Sequence, residues 1–213
     1  MSMSKDKEIT RIEDQLRDGP GGGPAGWRRI REGFNDRAVS DGLVDLAYEI
    51  HDSPFGPLVV GATTQGLVRV GLSAESEEAV IDDLARQVSI RILKTSRPVI
   101  TSTREQLDEY FNGDLRRFKL KLDWQLARGF RRDVLTATKA IPYGKTGSYT
   151  SVATKAGSPK AVRAAGSALA NNPLPIVIPC HRVLRSDGQV GNYLGGTSMK
   201  EQLLEMERAA RSA

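Results

Sequence analysis

The run Asn172-Pro173-Leu174-Pro175-Ile176-Val177-Ile178-Pro179-Cys180-His181-Arg182-Val183 constrains this chain more than any other segment. Proline fixes φ and carries no backbone N–H. Pro173, Pro175 and Pro179 together therefore forbid a helix and cannot be spread through a central strand. The residues between them are apolar and need burial. The segment reads as a stiff, buried, extended strip that fixes where the only cysteine, Cys180, stands.

One cysteine allows no intramolecular disulfide, and with two histidines it allows no Cys-rich structural zinc site. No metal and no cofactor are expected. A free cysteine is most often a small core residue. Three features set Cys180 apart: the rigid segment aims its sulfur, His181 is its neighbour, and Arg182 adds positive charge that favours the thiolate. Adjacent side chains on an extended segment diverge, so His181 is expected to reach the sulfur through a bridging water. A histidine base needs an orienting acid, and the last helix offers one. Met199, Leu203 and Glu207 fall at i, i+4 and i+8, which puts Glu207 on an otherwise apolar face. Either it is paired there with a specific partner, or the helix is rotated and the carboxylate is solvated; pattern alone favours solvation. His51 has no catalytic or metal spacing to anything and reads as an ordinary strand residue.

At 213 residues and 39% apolar, the chain supports one large domain or two small ones with a real core. No window reaches the ~18 apolar residues of a membrane span, and the N-terminus lacks a signal-peptide stretch. A cytoplasmic protein without a membrane partner is expected. Residues 1–43 are polar and interrupted by Asp18-Gly19-Pro20-Gly21-Gly22-Gly23-Pro24-Ala25-Gly26, so they read as a flexible N-terminal extension. Residues 44–124 read as a small α+β unit. Strands are expected at Tyr48–His51, Pro57–Ala62 and Leu67–Leu72, the last two as an antiparallel hairpin. A helix follows over 75–88, then another from the capping box Ser102-Thr103-Arg104-Glu105 to Gly113, then an edge strand at Lys119–Leu122.

Residues 128–210 read as mostly helical. Phe130–Ala140 and Ser148–Ala156 are expected as helices, followed by the turn Gly157-Ser158-Pro159. A further helix is expected from Pro159 to about Ala170, giving a helix-turn-helix. That last helix is poor in bulky side chains, so its backbone can approach another surface, whether a neighbouring helix or a ligand. The glycine-rich loop Gly188–Gly196 precedes a final helix expected to open at the capping box Ser198-Met199-Lys200-Glu201. Residues 128–213 carry 13 basic against 5 acidic residues, a net +8, while residues 1–127 are mildly acidic. Such a bias suggests a polyanionic partner for the basic half, or a surface that is simply basic.

Ile178-Pro179-Cys180-His181-Arg182-Val183, with Asn172-Pro173 before it and Gly191-Asn192-Tyr193 and Gly195-Gly196 after it, resembles the O6-alkylguanine-DNA alkyltransferases. Ile141-Pro142-Tyr143-Gly144, Ser148-Tyr149, the small-residue helix, and Asp52-Ser53-Pro54-Phe55-Gly56-Pro57-Leu58 with Gly66-Leu67 extend the likeness over roughly residues 45–208. The resemblance implies an α+β fold: a ribonuclease H-like domain at 44–124 with a small antiparallel sheet, then a DNA-binding and catalytic domain at 128–210. The implied partner is double-stranded DNA containing O6-alkylguanine, with O4-alkylthymine as a second lesion, bound through the minor groove. Ala161, Ala164 and Gly166 would admit the groove floor, and Arg163 would take the place of the flipped guanine. Tyr149 would rotate the nucleotide out and donate a proton to the departing base. Cys180 would attack the alkyl carbon, activated by a relay of Glu207, His181 and a water. Asn172 would tie the recognition helix to the active-site segment, and Tyr193 would line the pocket. Leu194 and Arg182 are placed with the substrate and DNA contacts. Transfer would be stoichiometric and irreversible, by a monomer, with cooperative binding along DNA left open.

Three departures stand out. Leu194 occupies a position where many members have serine or glycine, which would narrow the pocket. Leu135 replaces an aromatic, a packing change. The cysteines of the zinc site found in some members are missing. Two other readings remain: a non-transferring, lesion-binding alkyltransferase-like protein, which Leu194 favours and Cys180 opposes, and a Cys-His hydrolase, which would need an oxyanion hole.

Overall fold

The computed structural model describes residues 23–212, which fall into two compact units divided between Val44 and Asp45. The described part of the first unit contains the helix α1 (Gly23–Ser40). This differs from the expectation of a linker running through Gly26. Pro24 falls in the first helical turn, where no N–H is required, so the Gly-Pro stretch starts the helix instead of preventing it. The helix closes in a Schellman motif: Gly42 has φ 71°, its N–H donates to Val39 O (3.2 Å), and Leu43 N–H donates to Ala38 O (2.9 Å). The rest of the expected extension, residues 1–22, lies outside the described residues.

The second unit begins with a four-stranded sheet in the order β3-β2-β1-β4. β1 (Leu46–His51) and β2 (Leu58–Thr63) run antiparallel, with Leu46 opposite Thr63 and His51 opposite Leu58. β3 (Leu67–Gly71) completes the expected hairpin, with a register shift at Gly61/Ala62. β4 (Ile92–Lys94) pairs parallel to β1, Leu46 facing Ile92. Three residues are too few to show an alternation, so this strand is invisible in the sequence. The crossover to it contains α2 (Glu77–Gln87), whose Ser76 cap accepts from Ala79 N–H (3.1 Å) and whose buried face is Val80 and Leu84.

Helix α3 (Pro98–Phe111) starts a turn earlier than the Ser102 capping box suggested, because Pro98 at its first position supplies the start. Ser102 and Glu105 are therefore interior, and Ile100, Leu107 and Tyr110 are buried. Lys119–Leu122 makes one isolated parallel bridge, Leu67 with Leu122, instead of a strand.

The helical half comprises α4 (Phe130–Lys139), α5 (Tyr149–Lys155), α6 (Val162–Ala170) and α7 (Gly196–Ser212). Ser148 and Ser151 form a reciprocal capping box at the start of α5. α6 begins at Val162, three residues after Pro159, because Ala161 N–H closes a turn on Ser158 O (2.9 Å). α7 begins at Gly196, two residues ahead of the expected box. A two-residue parallel ladder, β5 (Gly147–Ser148) with β6 (Val183–Leu184), stitches the start of the helix-turn-helix to the end of the Cys180 segment. One hydrophobic cluster runs from Val60 and Leu67 in the sheet through Tyr110 to Leu135, Ile176, Ile178 and Leu203, so sheet and helices share a core.

Candidate active site

The proline-rich segment is a compact loop clamped by Asn172, where an extended strip was expected. Asn172 Oδ1 accepts from Leu174 N–H (3.0 Å) and its Nδ2 donates to Ile178 O (3.0 Å). Ile178 N–H closes back on Leu174 O (2.8 Å), and Ile176 is held at φ 71°, a region that a β-branched residue occupies only when its surroundings compel it. Cys180, His181 and Arg182 then form a single 3₁₀ turn. Successive residues there diverge by ~120° instead of alternating, so the three side chains serve different neighbours.

Cys180 is buried, and Asn172 Nδ2 also donates to its sulfur at 3.1 Å. The sulfur lines a cavity of about 440 Å³ with Tyr149, Gly166, Ser167, Arg185, Gly191 and Tyr193 among its walls. That volume lies within the ~300–1,000 Å³ of small-ligand sites. A side chain at Gly191 would meet Tyr149 Oη at 2.7 Å, so the loop backbone presses directly on that hydroxyl. Leu194 is not among the walls; it lines a separate polar cavity of about 360 Å³ with Arg69, Glu75 and Asn172, so its side chain does not narrow the Cys180 pocket. On α6 Arg163 and Ala164 are exposed and Gly166 is half-buried, as is Ala161 just ahead of it. Of these four, only Gly166 reaches the cavity.

Glu207 is fully buried, which overturns the solvated reading of its helix face. Its Oε1 accepts from His181 Nε2 (2.9 Å), Arg182 Nη2 (2.8 Å) and Tyr110 Oη (2.7 Å). Its Oε2 accepts from Arg182 Nε (2.9 Å) and Gly144 N–H (3.0 Å). Burial pushes this carboxyl up, but the hydrogen bonds from His181 and Arg182 outweigh it and hold it at about 2. Arg182 is buried and also donates to Ile141 O (2.6 Å). Its charge is consumed by Glu207.

Nε2 of His181 faces an ionised carboxylate and so carries the proton, which leaves Nδ1 as the acceptor. Nδ1 is buried and makes no hydrogen bond to the described protein atoms. Burial pushes His181 down from its ordinary value despite the pull of Glu207, which favours the neutral imidazole. Burial also pushes the Cys180 thiol up, offset in part by the Asn172 hydrogen bond and the charge of Lys200. A protonated thiol is a poor nucleophile, so a nucleophilic role for Cys180 would need a proton acceptor.

Sequence reasoning missed Tyr110, Gly144 and Lys200. Tyr110 lies inside the helix expected from Ser102 to Gly113, where nothing in the pattern sets its hydroxyl apart, although a buried tyrosine usually finds a hydrogen-bond partner. Lys200 sat inside an expected capping box, yet it is fully buried and donates to Val183 O (2.7 Å). Gly144 stands in the Ile141-Pro142-Tyr143-Gly144 motif without a role of its own there, since only its backbone N–H is used.

The family model described as 6-O-methylguanine DNA methyltransferase, DNA binding domain, matches residues 129–209, and that of the ribonuclease-like domain matches residues 46–124. A curated Methanosarcina acetivorans relative, named methylated-DNA–protein-cysteine methyltransferase, is 35% identical over 162 residues, 76% of this chain and 98% of the relative. A Bacillus subtilis relative of the same name, constitutive, is 35% identical over 166 residues, 76% of this chain and 94% of its own. Among solved structures, Mycobacterium tuberculosis OGT in complex with DNA is similar with a TM-score of 0.63 at 34% identity, covering 77% of this chain and 94% of that one. No described helix is long and apolar enough to cross a membrane.

Proposed function

Since the chain belongs to the family of methylated-DNA–protein-cysteine methyltransferases, DNA repair enzymes that move a methyl group onto one of their own cysteines, we propose that Cys180 is the acceptor and O6-alkylguanine in duplex DNA the donor. The observation that carries this reading is a buried cysteine that lines a cavity of about 440 Å³ beside the helix-turn-helix and is followed in the chain by a histidine paired with the buried Glu207. Arg163 and Ala164 face outward on α6, where a groove can be met, and α6 reaches the cavity through Gly166 and Ser167. A flipped guanine enters between Tyr149 and Tyr193, which line the same cavity as Cys180.

In the reaction the Cys180 sulfur forms a bond to the alkyl carbon as the bond from that carbon to guanine O6 breaks. The thiol proton passes through a water to His181 Nδ1, and the imidazolium is held by Glu207. Guanine leaves as the Tyr149 hydroxyl gives it a proton, and the tyrosine recovers one from solvent. The product thioether has no leaving group of comparable quality, so each molecule acts once.

The test pairs the wild-type protein with Cys180→Ala on a duplex containing one O6-methylguanine. Loss of transfer with lesion binding retained is expected. Transfer by Cys180→Ala overturns the assignment. A wild-type protein that binds the lesion without transfer points to the lesion-binding reading, which has lost its support in Leu194, and multiple turnovers on an activated ester point to a hydrolase.

A further inference from the structure

The carboxylate Glu207 is crowded at one oxygen. Oε1 receives Tyr110 Oη, His181 Nε2 and Arg182 Nη2, all within 2.9 Å, and Arg182 Nε at 3.1 Å as well. A carboxylate oxygen offers about two lone-pair directions, so these donors compete. Tyr110 comes from α3 in the ribonuclease-like domain, 97 residues earlier in the chain, and its hydroxyl also lies 3.4 Å from His181 Nε2. Its ring is fixed edge-on or tilted against Phe111, Phe118 and Tyr143 at 5.3–6.0 Å, so the hydroxyl has no freedom to leave.

We infer that Tyr110 is a positioning residue through which the sheet domain takes part in alkyl transfer: by occupying Glu207 Oε1 it weakens the carboxylate's hold on His181 and keeps the imidazole free to accept the cysteine proton. The inference rests on the reaction proposed above. It also gives the sheet domain, in which the sequence shows no chemistry, a stake in the reaction.

The other groups around the pair act from fixed positions. Arg182 on the 3₁₀ turn and Gly144 N–H from the loop after α4 complete the carboxylate's shell. Tyr143 of that loop stacks under Arg182 at 5.6 Å, and its own hydroxyl is pushed up by burial and by Glu207. Lys200 on α7 disfavours a charged imidazole, and Tyr193 stands edge-on to it at 6.3 Å. Cys180, the proton's source, is protonated until attack. With all of these left in place, removing one hydroxyl lets Nε2–H bind Oε1 more closely and steadies the imidazolium, so His181 holds its proton to higher pH.

The experiment is the pH profile of single-turnover methyl transfer for wild type and Tyr110→Phe, which keeps the ring packing. The acid limb of Tyr110→Phe is expected to move to higher pH by about half a unit. Because the chain has only two histidines, imidazole titration by NMR should move one resonance set, that of His181, and leave His51 in place. A uniform loss of rate at every pH, or no change in the limb, overturns the inference and leaves Tyr110 a packing residue. Absence of transfer by the wild type defeats the underlying reaction instead, and is seen before any variant is compared. Should Tyr110→Phe fail to fold, 3-fluorotyrosine at position 110 keeps the ring and strengthens the donor. It must then move the limb to lower pH; an unmoved limb again overturns the inference.

Discussion

Glu207→Gln keeps the shape of the side chain and removes the charge that Arg182 and His181 share. Breaking one partner out of a buried ion pair costs roughly 3–5 kcal/mol, because the stranded guanidinium cannot be resolvated. The variant is expected to lose that much in denaturant unfolding and to transfer methyl about a hundredfold more slowly, as a weakened general base does. Its acid stability carries a signed prediction as well. The carboxyl sits at about 2 in the fold against an ordinary 4.5, so its stabilisation is complete above about pH 4.5 and lost as pH falls toward 2. Glu207→Gln should flatten that part of the stability profile and leave the region above pH 5 parallel to wild type. At this scale the sequence is informative about residue type and blind to surroundings. Met199-Leu203-Glu207 periodicity put the carboxylate on an apolar face, but only a partner folded in from elsewhere decides between burial and solvation, and Tyr110 and Gly144 lie 97 and 63 residues away.

Elements translate these residues into a pocket. The loop Gly188–Gly196 passes so close to Tyr149 that a Cβ at Gly191 would lie 2.7 Å from its hydroxyl. Gly191→Ala must push the tyrosine away from the cavity wall, since a loop backbone yields less readily than the tip of a side chain. Slower transfer from duplex DNA is expected, with a thermal midpoint within a few degrees of wild type; an unchanged rate would mean that Tyr149 does not act from its observed position. Most elements here were legible because their signals are local: the β2–β3 hairpin, the amphipathic α2, and the pair of short helices with Gly157 at the turn. The misplaced helix starts share one cause. Ser102 and Ser198 satisfy the capping-box pattern, but Pro98 and Gly196 set the actual boundaries one turn or half a turn earlier. The three prolines of the Cys180 segment correctly excluded a helix, yet not the tight loop that Asn172 closes, because that loop depends on one side chain meeting a backbone carbonyl six residues on.

For the whole molecule, charge and topology act together. The net +8 of residues 128–213 overstates what can face a phosphate, since Arg182 and Lys200 are buried and spend their hydrogen bonds on Glu207 and Val183. Among the residues whose burial is described, the other cations of this half, Arg163 and Lys160 beside the helix-turn-helix included, are exposed. The sheet domain and the helical domain, read separately in the sequence, share one core and one hydrogen-bond network, with Tyr110 at the junction. The central claim is that this assembly moves an alkyl group from DNA to Cys180 once per molecule. Its most direct measurement is the intact mass of the protein after mixing with a duplex carrying one O6-methylguanine, followed by mapping of the modified peptide. A gain of one methylene unit per molecule, located on the peptide containing Cys180, is the predicted result. An unchanged mass in a protein that binds the lesion tightly, or a methylene found on any other residue, would contradict it.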